Sequence, residues 1–81
     1  MENQVREHEI RYFVDTEELV TANPRLTVKQ ILEAARLDPS THYLVELRGH
    51  EQIPHKDINE VLHLHENEKF ISISTGPTPV S

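Results

Sequence analysis

The sequence predicts a small α+β fold in which one helix lies across one sheet. Three observations carry that expectation. Apolar and polar residues alternate over residues 8–15, 42–48 and 69–74, as they do in half-buried strands. One stretch, residues 27–37, changes to helical spacing and opens on a capping signal. The chain has 81 residues and no cysteine, so one aliphatic core has to hold a single domain without disulfide support.

Taken in order, residues 1–7 are polar and lack a buried-face pattern. They are expected to form a flexible N-terminal tail, with the folded domain over residues 8–74. In the first strand, Ile10, Tyr12 and Val14 alternate with Arg11, Phe13 and Asp15. Asp15-Thr16-Glu17 reads as a tight turn, with Asp15 able to bond its own backbone two residues on. Residues 18–21 return as a second strand, which ends at Ala22-Asn23-Pro24 because proline has no N–H to give a ladder.

Thr27-Val28-Lys29-Gln30 then fits a capping box, and Leu26 and Ile31 are spaced as a hydrophobic staple around it. Val28, Ile31, Leu32 and Ala35 fall on one helical stripe, and Asp38-Pro39 is expected to stop a helix of about ten residues. So short a helix is marginal alone and has to dock on a sheet.

Residues 42–48 form a third strand, with Tyr43, Val45 and Leu47 on one face and Leu44, Glu46 and Arg48 on the other. Gly49 marks a turn, and residues 51–54 give a brief strand limited by Pro54. Residues 57–62 read as a short helical or 3₁₀ turn carrying Ile58, Val61 and Leu62 inward. Glu66-Asn67-Glu68 is a polar turn before the last strand, in which Ile71 and Ile73 alternate with Phe70, Ser72 and Ser74. Residues 75–81 hold a glycine and two prolines and are expected as a flexible, exposed C-terminal tail.

A hairpin, a helix and then further strands suit a mixed sheet of four to five strands packed on one main helix. The strand after the helix returns most simply parallel to the first. That is the β-grasp, or ubiquitin-like, architecture; another α+β fold with the same element order but different pairing is the alternative.

The residues also carry a family resemblance. The opening strand ending in Asp15, the helix start Leu26-Thr27-Val28-Lys29-Gln30-Ile31-Leu32, the Asp38-Pro39 stop, Tyr43-Leu44-Val45 and the close Phe70-Ile71-Ser72-Ile73 resemble the bacterial multiubiquitin domain family. The resemblance spans about residues 8–74. It implies a ubiquitin-like protein modifier, served by activating and conjugating enzymes and a deubiquitinase-like peptidase that carry the chemistry, and attached to target proteins. Members of that family often hold several such domains in tandem, whereas this chain holds one.

On that reading Gly76 is the candidate conjugation and processing residue, exposed once a peptidase removes residues 77–81. A glycine after a strand is also ordinary punctuation. A sulfur-carrier role fits less well, since it needs a terminal glycine pair. The alternative is a non-covalent interaction or self-assembly module. Phe13, Leu44, Arg48 and Phe70 are the partner-surface candidates, expected on the sheet face away from the helix.

The remaining chemistry is sparse. Eight basic against fourteen acidic residues give a net charge of −6, which argues against a nucleic-acid partner. No apolar run approaches a membrane span, and the N-terminus lacks the apolar core of a signal peptide, so a cytoplasmic location is expected. Self-association is left open. Six histidines (His8, His42, His50, His55, His63, His65) include the strand-like pair His63-x-His65, but they lack a recognised metal-ligand spacing and read as surface residues, so no metal is expected. Glu17-Glu18 and Glu66/Glu68 are expected in solvated turns. Without a phosphate-binding loop or a nucleophile–base spacing, neither a cofactor nor an enzymatic activity is expected.

Overall fold

The structure is a computed structural model and describes residues 9–75. The two expected tails, Gly76 and His8 lie outside the described residues, apart from Thr75. Strands β1 (Ile10–Val14) and β2 (Glu17–Thr21) form a hairpin, and β3 (Arg25–Thr27) runs directly into helix α1 (Val28–Ala34). They are followed by β4 (His42–Arg48), β5 (Glu51–His55), β6 (Val61–His63) and β7 (Glu68–Ser74). Five strands make one mixed sheet in the order β2-β1-β7-β4-β5. The central β1–β7 pair is parallel and the other pairs are antiparallel, so the strand after the helix, β4, runs opposite to β1, and the expected parallel return is made by β7 instead. A separate two-stranded ribbon pairs β3 with β6.

The helix begins where its cap places it. Thr27 Oγ1 accepts from the Gln30 N–H at 3.0 Å, and Gln30 Oε1 accepts from the Thr27 N–H at 2.9 Å. Val28, Ile31 and Leu32 are fully buried and Ala35 nearly so, confirming the apolar stripe. They meet Tyr12 and Val14 of β1, Leu44 of β4 and Phe70 of β7. Tyr12 and Phe70 cross edge to face, with centroids 6.5 Å apart. That arrangement adds to the area the two rings bury.

Three local expectations are corrected. The helix is seven residues long rather than about ten, because it closes at Ala35–Leu37 before Asp38-Pro39 is reached. Residues 57–62 are not helical, and Val61, expected inward, is exposed. Asp57 caps a turn by accepting from the Asn59 N–H at 2.9 Å, and Val61–His63 then pairs with β3. Asp15 does not bond its own backbone; both its carboxylate oxygens reach across to Ser72, accepting from the N–H at 3.0 Å and from the hydroxyl at 2.7 Å. These contacts continue the β1–β7 pairing past the last strand residue of β1, where the Asp15 N–H also donates to the Phe70 carbonyl.

Candidate functional site

Strand register decides which side chains face the helix. Glu46 lies beside Phe70, and Leu44 beside Ser72, so Leu44, Glu46, Phe70 and Ser72 share the helix-facing side. Leu44 and Phe70 are therefore core residues, 0% and 1% exposed, and not partner-surface residues as expected. Arg48 is on the same side, exposed at the end of β4. Of the four candidates only Phe13 lies on the outer face, next to Glu18 and Lys69. Alternation pointed the other way, since Tyr43, Val45 and Leu47 make the more apolar row of β4, and only docking of the helix puts Leu44 and Glu46 inside.

The outer face carries Phe13, Tyr43, Leu47, Ile71 and Ile73, all partly exposed, around a nearly buried Val45. Cations border it. Lys56 Nζ stands 5.1 Å above the Tyr43 ring, Lys69 lies between Phe13 and Leu47, and Arg11 pairs with Glu18 at 3.3 Å. Arg11 also lies 3.9 Å from Glu66, so Lys56 and Lys69 are the cations on this face that no described ion pair neutralises.

A second constellation sits on the helix-facing side, at the end of the sheet beyond the reach of α1. Glu46 is 6% exposed. Its Oε2 accepts from Arg48 at 2.7 Å, and its Oε1 lies 3.0 Å from His55 Nε2. The other ring nitrogen, His55 Nδ1, lies 3.1 Å from Glu60 Oε1. Glu68, also nearly buried, accepts from the His65 N–H at 3.2 Å and lines the same cavity as Glu46. Glu46, Arg48, His55, His65 and Glu68 line a surface cavity of about 370 Å³, shared with Phe70, Leu62 and His63.

The two carboxyl groups are driven apart. Burial pushes Glu46 up, but hydrogen bonds from Glu68, Arg48 and His55 outweigh it and hold the group at about 2. Burial raises Glu68, and the adjacent Glu46 carboxylate raises it further.

Sequence reasoning placed His55 on the surface and Glu68 in a solvated turn, yet their side chains are 11% and 8% exposed. One signal was present. Glu46 alternates with Leu44, and Glu68 with Phe70, so each carboxylate has core-face spacing in an apolar strand. His63 and His65 both border the cavity, but among the described residues no group of three or more histidine, aspartate or glutamate side chains is placed to hold a metal ion. Likewise, no described helix is long and apolar enough to cross a membrane. No protein-family model, curated protein or solved structure matches the chain.

Proposed function

We propose that the chain is a ubiquitin-like β-grasp domain acting as a protein modifier in a bacterial ubiquitination-like pathway. The observation that carries this reading is the sheet order β2-β1-β7-β4-β5. A parallel central pair is flanked by antiparallel hairpins, and one helix crosses one face. Within that frame β7 is the middle strand. It ends at an exposed Ser74, and the Thr75 N–H is still held by the Thr41 carbonyl at 2.7 Å. The segment that follows contains Gly76, the candidate for activation by adenylation of its carboxylate after trimming, and for transfer to a target. A partner activating enzyme, a conjugating enzyme and a peptidase supply the chemistry, and no catalytic role is assigned to the chain.

Intact-mass measurement tests it. Incubated with an activating enzyme, a conjugating enzyme and a peptidase of a bacterial ubiquitination-like pathway, the chain is expected to lose residues 77–81 and to gain a covalent adduct, and Gly76→Ala is expected to reduce that adduct at least tenfold. An unchanged mass under all conditions overturns the modifier reading.

The outer face supports the second reading, a non-covalent interaction or self-assembly module. An apolar centre bordered by Arg11, Lys56 and Lys69 suits a partner with apolar and acidic side chains. On that reading Ile71→Glu weakens partner binding by at least tenfold, whereas Gly76→Ala leaves it unchanged.

A further inference from the structure

The two edges of the five-stranded sheet, β2 and β5, differ in what they offer a further strand. On β1 the Asp15 N–H donates to the Phe70 carbonyl at 2.8 Å, and the Arg11 carbonyl accepts from the Asn67 N–H at 2.7 Å, so residues 11, 13 and 15 bond toward β7. Ile10, Tyr12 and Val14 therefore bond toward β2, where they stand opposite Thr21, Leu19 and Glu17. The amides and carbonyls of Glu18 and Val20 are left facing away from the sheet. At the other edge, Arg48 and Glu51 flank a two-residue loop as a bonded pair, which turns Gln52 and Pro54 outward on β5. Pro54 has no N–H, so β5 presents one outward donor. β2 presents two donors and two acceptors, and among the described residues no strand lies beyond it. Glu18 is exposed, and Val20 is 55% exposed.

We propose that β2 is a dimerisation edge, on which a second copy of this chain lays its own β2 antiparallel about a two-fold axis at Leu19. The edge is complementary to itself in that register. Glu18 stands opposite the partner's Val20, Val20 opposite the partner's Glu18, and each pair exchanges both backbone hydrogen bonds. The two Leu19 side chains meet on the helix-facing side, and each Glu17 stands opposite a Thr21. The strand carries two glutamates, yet no carboxylate faces another. A parallel pairing, or one centred on Glu18, sets glutamates side by side. One centred on Val20 moves Glu18 opposite Ala22, past the end of β2, where the turn held between Thr21 and Asn23 takes the chain away.

Having one open edge also closes the assembly. Two chains use up both open edges, and the outer strands of the joined sheet are then the two proline-bearing β5 strands, so growth stops at the dimer. This dimer rests on the self-assembly reading, with the contact at β2 instead of the outer face.

Sedimentation equilibrium of the full chain tests the pairing, with concentration raised to about 1 mM because so short a seam makes a weak dimer. Each copy carries a charge of −6, so association is expected to tighten as salt is raised. Val20→Pro removes the outward N–H and leaves the bonds to β1 in place. By symmetry two hydrogen bonds are lost, and the dimer is expected to weaken about tenfold or more. Val20→Glu puts carboxylates opposite each other in both pairs and is expected to weaken it about three- to tenfold at low salt. Val20→Lys, opposite Glu18, is expected to leave the dimer as tight or tighter. Position 20 is exposed, so both charge variants keep the fold. Exchange of the Glu18 and Val20 amides is expected to slow as the chain is concentrated. A chain that stays monomeric overturns the pairing, and equal weakening by Val20→Glu and Val20→Lys overturns its register. A dimer lost in Ile71→Glu but untouched by Val20→Pro overturns the pairing too, and leaves self-assembly through the outer face standing.

Discussion

Arg36 stands in the left-handed region, with φ 65°, one residue past the helix C-cap. The Leu37 N–H donates to the Leu32 carbonyl at 2.8 Å, and the Arg36 N–H to the Glu33 carbonyl at 2.9 Å. Together they form a Schellman ending in a position that glycine prefers. The arginine Cβ is strained there without side-chain compensation in the motif. Arg36→Gly is therefore expected to stabilise the fold by about 1 kcal/mol, raising the melting temperature by roughly 4–8 °C in calorimetry. A lower melting temperature in the variant contradicts this account. Asp15 shows the opposite bargain. It and Gly49 open the two-residue loops of the two hairpins, with φ 57° and 61°. Gly49 meets the requirement by lacking a side chain. Asp15 meets it because its carboxylate is held by both donors of Ser72.

At the scale of elements, the strands separate into a helix-covered face and an open one, and equivalent-looking phenylalanines fall on opposite sides. Phe70→Ala removes a fully buried ring and is expected to cost about 3–5 kcal/mol, enough to unfold much of so small a domain. Phe13→Ala on the open face is expected to cost about 1 kcal/mol or less. Urea titration of the two variants separates them, and similar midpoints would mean that the register assigned to β1 and β7 is wrong. The ribbon of β3 and β6 belongs to the same scale. Each strand has only three residues, too few for alternation to be read, and the spacing of Ile58, Val61 and Leu62 also suits a helical turn. Long-range pairing with residues about 36 positions away chose the strand, a contact that local pattern does not encode.

For the whole molecule, the acid side of stability is set in large part by Glu46. Its value falls from 4.5 to about 2 on folding, so its contribution is present above the ordinary carboxylate range and is lost as pH falls toward 2. The loss is on the order of 2–3 kcal/mol, reduced to the extent that Glu68 takes up the proton instead. Urea midpoints measured from about pH 6 to about pH 2 are expected to fall steeply in the native chain and less steeply in Glu46→Gln. Parallel slopes in the two proteins contradict the assignment.

The sequence by itself determined the class of fold, the helix start at Thr27–Gln30, the apolar stripe from Val28 to Ala35 and β4 to within its residues. Those features are local: a cap and a periodicity are complete within a dozen residues. Tertiary structure alone decided which face of β4 and β7 is core, that β3 pairs with β6, and that Glu46, His55, Glu60 and Glu68 meet. Each of those depends on strand register and on docking of the helix, which join residues far apart in the chain. Alternation supplies two faces, and only packing says which one is inside.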